Sequence, residues 1–263
     1  MLENVQAVYA GYLNTFAIDG DGTLRVWGWN EGGQLGLGDQ ENKNVPVAVL
    51  NDVATAAPGD YHSAAVTLDG TLWTWGWNDV GQLGNGSSMD LYAPKEVLEN
   101  VRSTAVGLKH TLAVKQDNTL WACGDNTYGQ LADGGTESSE SFRQVMDHVH
   151  SVAATAFGTL IIKTDGSLWV CGYNGDGELG TGDYESVPKP VKIMDAVKSV
   201  SASRDFAAAI DRGGVLYAWG NNAYGQYGGE TSAEPLKMAQ DVVYASTGGG
   251  HILYLASDGS VYA

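Results

Sequence analysis

Trp75-Gly76-Trp77-Asn78-Asp79-Val80-Gly81-Gln82-Leu83-Gly84 is the stretch that decides the fold. Its two halves, Trp-Gly-x-Asn and Gly-Gln-Leu-Gly, recur on a fixed 48-residue step. The first half starts at Trp27, Trp75, Cys123, Cys171 and Trp219, with Cys replacing Trp twice. The second half follows each time, as Gly33-Gln34-Leu35-Gly36, then as Gly129-Gln130-Leu131-Ala132, Gly177-Glu178-Leu179-Gly180 and Gly225-Gln226-Tyr227-Gly228. Coupled motifs at constant spacing mean one supersecondary unit repeated in series, and a period in the forties predicts propeller blades.

Working outward from that stretch gives the strands of one unit. Residues 53–58 read as a first strand, 62–68 as a second and 72–75 as a third. Asp69-Gly70 between the second and third predicts a two-residue type I′ turn, which needs positive φ at both positions. A longer loop follows, and Pro94 is expected to open a short fourth strand over 96–98. Four short strands make one blade. The repeats span 4–50, 51–98, 99–146, 147–194 and 195–240, with a partial unit at 241–263.

The predicted fold is all-β: a single β-propeller domain over 1–263, built of four-stranded antiparallel blades. Six blades are preferred, the last one incomplete. The alternative is a fragment of a seven-bladed propeller. An incomplete blade leaves an open edge through which copies of the chain could self-associate. Leu35, Leu83, Leu131 and Leu179 are expected to plug the gaps between blades, with Trp27, Trp75 and Trp219 packed beside them.

The net charge is −17, from 31 acidic and 14 basic side chains. That balance disfavours a nucleic-acid partner, because phosphate binding rests on Lys and Arg. It permits a basic protein partner. Cys123 and Cys171 read as two small buried thiols rather than a disulfide. The N-terminal stretch lacks a leader pattern, and no apolar run is long enough to span a membrane. The default location is cytoplasmic.

The repeat resembles that of the regulator of chromosome condensation family. Its pattern is Gly-x-x-His-Thr, then Asp-Gly, then Trp-Gly-x-Asn-x-x-Gly-Gln-Leu-Gly. Here that reads Gly59-Asp60-Tyr61-His62-Ser63, Asp69-Gly70, Trp75-Gly76-Trp77-Asn78 and Gly81-Gln82-Leu83-Gly84. Gly107-Leu108-Lys109-His110-Thr111 matches the first element fully, and Gly248-Gly249-Gly250-His251 in part. The resemblance implies a propeller that works by binding proteins. The founding member resembles a seven-bladed exchange factor for a small nuclear GTPase that also sits on chromatin. Its exchange activity relies on an inserted hairpin that these uniform units lack. Related propellers include a plant photoreceptor and a bacterial inhibitor of β-lactamases. The photoreceptor's light-sensing Trp falls where this chain has Tyr61 and Lys109.

Catalytic chemistry is not legible. Gly175-Asp176-Gly177-Glu178-Leu179-Gly180 spells a dinucleotide fingerprint but lies inside the repeat with no predicted helix after it. His148 and His150 could share a strand face, yet two ligands make a poor metal site. His62, His110 and His251 share one repeat position, where hydrogen bonding to a neighbouring turn is expected. No catalytic residue, cofactor or metal site is therefore assigned.

The reading is a non-catalytic scaffold that presents loops to a protein partner, with nucleotide exchange on a small GTPase and enzyme inhibition as alternatives. The first candidate patch is the acidic loop set after Gly-Gln-Leu-Gly. It holds Asp90, Glu137 and Glu185, with Tyr92, Phe142 and Tyr184 as aromatic anchors. The second is Trp29, Trp77 and Tyr173, at the variable site of Trp-Gly-x-Asn.

Overall fold

The computed structural model describes residues 2–263. Met1, which begins the stretch read for a leader, lies outside them. The described residues form strands, turns and loops, with no helix. The fold is an all-β β-propeller of six blades: five four-stranded antiparallel sheets and a sixth of three strands.

The blades follow the chain in order. The first holds β1 (Val5–Ala10), β2 (Asn14–Asp19), β3 (Leu24–Gly28) and β4 (Lys43–Leu50). The second holds β5 (Val53–Pro58), β6 (His62–Thr67), β7 (Leu72–Gly76) and β8 (Leu91–Leu98). The third holds β9 (Val101–Val106), β10 (His110–Lys115), β11 (Leu120–Gly124) and β12 (Ser139–Met146). Then come β13 (Val149–Ala154), β14 (Gly158–Lys163), β15 (Leu168–Gly172) and β16 (Val187–Met194). The fifth blade is β17 (Val197–Ala202), β18 (Phe206–Asp211), β19 (Leu216–Gly220) and β20 (Ser232–Ala239). The sixth is β21 (Val242–Thr247), β22 (Ile252–Ala256) and β23 (Val261–Tyr262).

Contacts divide the chain into two compact units. One runs to Asp125 and adds Ser138–Val145; the other holds Asn126–Glu137 and Met146–Ala263.

Within each unit, the core forms where one sheet lies on the next. In the first unit, Phe16, Ile18, Val26 and Leu35 meet Val53, Ala65 and Trp75 of the following blade. In the second, Leu160, Ile162, Val170 and Leu179 meet Val197, Ala207, Ala209 and Trp219. The second strand of a blade is the most deeply buried, and β6 is buried along its whole length. Residues on both of its faces must therefore be small or apolar, as in His-Ser-Ala-Ala-Val-Thr.

Trp75 and Trp219 are fully buried, and the four block leucines likewise. Each Trp ring lies on the last glycine of the preceding Gly-Gln-Leu-Gly block. A Cβ on Gly36 (φ 72°) would come within 2.8 Å of Trp75 Nε1, and one on Gly180 (φ 74°) within 2.8 Å of Trp219 Nε1. Positive φ and close approach together require glycine there. Trp27 departs from expectation: it is only partly buried.

Two strand-level expectations are corrected. The Asp-Gly turn is not type I′, because Gly70 alone has positive φ, at 87°. Gly70 N–H donates to Thr67 O at 2.9 Å, so Leu68 and Asp69 occupy a type I turn and Gly70 follows as a bulge. Asp69 Oδ1 accepts from Thr71 N–H and the Thr67 hydroxyl, which holds Asp69 in ordinary φ. The fourth strand is also longer than expected, with Pro94 inside β8. β8 is the largely exposed edge of its sheet, so a missing N–H leaves no ladder bond unmade.

Candidate interaction surface

The recurrent Asn of Trp-Gly-x-Asn organises each long loop. Asn78 Oδ1 accepts from Leu83 N–H at 2.9 Å, while its amide donates to Ser87 O at 2.7 Å, Met89 O at 2.9 Å and Asn85 Oδ1 at 3.2 Å. Asn30, Asn126, Asn174 and Asn222 repeat this pattern, each accepting from the residue five positions ahead. A short amide with both donors and an acceptor can satisfy a loop that has no ladder of its own.

The Gln of the second block ties neighbouring blades together. The Gln34 carbonyl accepts from Trp75 Nε1 at 2.8 Å and from the Ser63 hydroxyl at 2.9 Å. The Gln82 carbonyl accepts from the Thr111 hydroxyl at 2.6 Å and weakly from Cys123 Sγ at 3.4 Å. Both cysteines are free buried thiols. Burial pushes the Cys171 thiol up to about 12 and raises that of Cys123 further, so neither is a nucleophile at neutral pH.

The histidines also depart from expectation. His62 is buried and meets Thr111 of the next blade rather than a turn. His148 sits in a turn with φ 60° while His150 lies in β13, so they share no strand face. Among the described residues, no group of three metal-ligating side chains comes together.

Of the acidic-loop set, Asp90, Glu137 and Glu185 are exposed. Asp90 Oδ1 also accepts from Asn78 N–H at 2.8 Å, so it braces its loop. Tyr184 is 54% exposed and Tyr92 is 38% exposed, with the Tyr92 ring resting on Gly33. Phe142 is largely packed away: it closes on Gly84 beside Cys123 and borders the cluster of Val66, Leu72, Val101 and Ala113. Its ring fills space that a Trp occupies in other repeats.

The second candidate set falls into two aromatic clusters, one in each unit. In the first unit, Tyr61 stacks on Trp77 with centroids 4.4 Å apart and planes 13° apart, and Trp29 meets Tyr61 edge-on at 5.8 Å. The β6–β7 hairpin sets this pair: His62 faces Gly76 in register, and Trp77 N–H donates to Tyr61 O at 3.0 Å. Lys109 pairs with Asp79 in the same unit. In the second unit, Tyr173 N–H donates to Phe157 O at 3.0 Å, and both rings join Tyr128. All six rings are partly exposed. Sequence reading missed Tyr61, Tyr128 and Phe157. Tyr61 and Phe157 share one repeat position, the second variable site of Gly-x-x-His although the fourth repeat reads Thr155-Ala156-Phe157-Gly158, and that alignment was the available signal.

Carboxylates border the second cluster. Glu178 occupies the slot that holds Gln34, Gln82, Gln130 and Gln226 elsewhere, and it is buried. Its Oε2 accepts from Asp176 N–H at 3.0 Å. Desolvation, with Asp176 and Asp205 adding, pushes its carboxyl up to about 7. Burial, then the charges of Asp176 and Glu178, holds the Tyr173 hydroxyl above its ordinary range.

Among solved structures, the chain is similar to yeast RCC1 (Prp20) bound to Kap60, with a TM-score of 0.85 and 20% identity over 98% of this chain and 69% of that one. It is similar to human WBSCR16, with a TM-score of 0.85 and 23% identity over 96% and 72%. Prp20p from Saccharomyces cerevisiae, studied for its binding to Gsp1p and histones, matches at a TM-score of 0.85 and 20% identity over 98% and 71%. At these identities the likeness shows the fold. Two models of the regulator of chromosome condensation (RCC1) repeat match the sequence itself. One covers 21–66, 69–114 and 165–210, and the other covers 5–34, 53–82, 101–130, 149–178 and 197–226. With the repeat matched over more than half its length, the chain belongs to the regulator of chromosome condensation (RCC1) repeat family.

Proposed function

We propose that this protein is a non-catalytic interaction module that binds a basic protein partner through its loops. The observation that carries the reading is the pair of partly exposed aromatic clusters, Trp29–Tyr61–Trp77 and Tyr128–Phe157–Tyr173, on a chain of net charge −17. The repeat residues are accounted for as loop staples and blade contacts, whereas these rings sit at variable repeat positions. Aromatic anchors dominate interface energy, and opposite charge speeds encounter. Acidic loops with Asp90, Glu137 and Glu185, together with exposed Tyr184, extend the same chemistry. The test is affinity capture from host extract at low and physiological salt, followed by binding measurements with each purified candidate. The reading expects a basic partner whose affinity falls as salt screens charges beyond about 8 Å. A partner held equally at both salts by a chain carrying Trp77→Ala and Tyr173→Ala would defeat it.

Nucleotide exchange is the second reading, favoured by the fold shared with Prp20p, which was studied for Gsp1p binding. Its test is release of labelled guanine nucleotide from a panel of small GTPases. Acceleration by catalytic amounts of the protein would establish it. The third reading, enzyme inhibition, predicts loss of activity of a target enzyme on stoichiometric addition.

A further inference from the structure

The cluster in the second unit differs from that in the first in a way that bears on its ligand. In the first unit, Tyr61 and Trp77 cover each other's faces, and the cation nearby is the protein's own Lys109, paired to Asp79. One repeat later, Lys109 becomes Phe157 and Asp79 becomes Thr127. At the position aligned with Lys109 an aromatic ring stands in place of the cation.

The three rings there meet edge-on throughout. Tyr128–Phe157 is 5.9 Å at 63°, Tyr128–Tyr173 is 5.1 Å at 64° and Phe157–Tyr173 is 6.4 Å at 74°. An edge-on contact covers one face of one ring. Three such contacts therefore cover at most three of the six faces. Ring faces carry the negative side of the aromatic quadrupole and attract ammonium and guanidinium groups. The chain uses this contact internally, with Lys115 Nζ 4.4 Å from the Trp121 centroid and Lys163 Nζ 4.8 Å from that of Trp169.

Acidic groups act on Tyr173 of this cluster, while Arg204 acts on the neighbouring Asp205. Asp176 and Glu178 both act on the Tyr173 hydroxyl, and Asp176 acts in turn on Asp205. Glu178 is 1% exposed, and its carboxyl accepts from backbone N–H groups, that of Asp176 to Oε2 at 3.0 Å and its own. Where the slot holds Gln, the amide also donates, as Gln34 does to Asp60 O at 3.2 Å and Gln226 to Asn221 O at 2.7 Å. Glu178 in this slot loses that amide donor.

We propose that Tyr128, Phe157 and Tyr173, with Asp176, form a binding site for a lysine or arginine side chain from a basic segment of a protein partner. The inference rests on the basic-partner reading above and assigns that partner's anchor to this cluster. The ring faces receive the cation, and Asp176 supplies charge that offsets its desolvation.

The experiment uses the full chain and two labelled peptides, one alternating lysine with glycine and one alternating norleucine with glycine. Fluorescence anisotropy at low salt measures binding to the native protein and to Tyr173→Leu, Tyr128→Leu and Asp176→Asn. The native chain should bind the lysine peptide and not the norleucine one, and each variant should weaken binding about fivefold or more. Tyr244→Leu, an exposed ring outside both clusters, should leave it within about twofold. Lysine-peptide binding that survives all three changes overturns the site and leaves the basic-partner reading standing. Absence of binding by the native chain overturns both. If the tyrosine variants fail to fold, Asp176→Asn decides alone, because an unchanged affinity there overturns the site.

Discussion

Nε2 of His62 lies 2.8 Å from Oγ1 of Thr111 in the next blade, and that hydroxyl is itself 2.6 Å from the Gln82 carbonyl. The carbonyl can only accept, so Thr111 donates to it and His62 must carry its proton on Nε2. Burial first, then the neighbouring His110, pushes the His62 pKa down to about 3. Between 6.5 and 3 the unfolded chain binds a proton here that the folded chain does not. Stability from this residue is thus complete above pH 6.5 and is lost as pH falls toward 3. Urea unfolding at pH 7 and pH 5 should differ by up to about 1.4 kcal/mol per pH unit for each such histidine. His62→Gln should flatten that slope.

Glu178 titrates with the opposite sense. Its folded pKa, about 7, exceeds the ordinary 4.5, so the folded chain holds the proton that the unfolded chain has released. Its contribution is full below pH 4.5 and is lost as pH rises through 7. Glu178→Gln restores the residue of the other repeats and should raise stability at pH 8 by about 2 kcal/mol. At pH 4 the change should be near zero. Denaturant titrations of the two proteins at both pH values check this.

Ala132 and Cys171 compensate for each other. Elsewhere the ring of Trp75 or Trp219 lies on a glycine, Gly36 or Gly180, which leaves no room for a methyl group. Ala132 brings that methyl, at φ 64°, and Cys171 takes the Trp position with a hydrogen bond involving the Ala132 backbone. Cys171→Trp alone should overpack the site and destabilise by about 1–3 kcal/mol. Adding Ala132→Gly should recover at least about 1 kcal/mol of that loss, a coupling measurable in a double-mutant cycle.

Asn78 should be among the most sensitive loop positions. Asn78→Ala removes the acceptor for Leu83 N–H and the donor to Ser87 O and Met89 O, all in a buried setting. Leaving those groups unsatisfied should cost about 3 kcal/mol. Hydrogen exchange should show the loss as opening confined to residues 79–90. Asn78→Asp keeps the acceptor but not the donors, and should retain the Leu83 protection while freeing the loop carbonyls.

The architecture is legible in the repeat alone. A 48-residue step locks strand order, blade identity and the buried leucines, because each repeat can bury its apolar face only against its neighbour. The sequence also determined the acidic surface, since charge is additive along a chain whatever the fold. Which of the loop aromatics are packed away and which stay partly exposed follows from the packing of neighbouring strands. Phe142 reads as a loop anchor, yet its ring fills the space beside Cys123 where other repeats carry Trp. Tyr61, before His62, and Phe157, before Gly158, hold one repeat position, and hairpin register sets them against Trp77 and Tyr173. The turn type followed the same rule, because Leu68 and Asp69 took a type I turn once the Asp69 side chain found Thr67 and Thr71. Repetition reports which positions are equivalent. It does not report which side chain from the adjoining blade occupies the space beside each of them, and that neighbour decides whether a ring is core or surface.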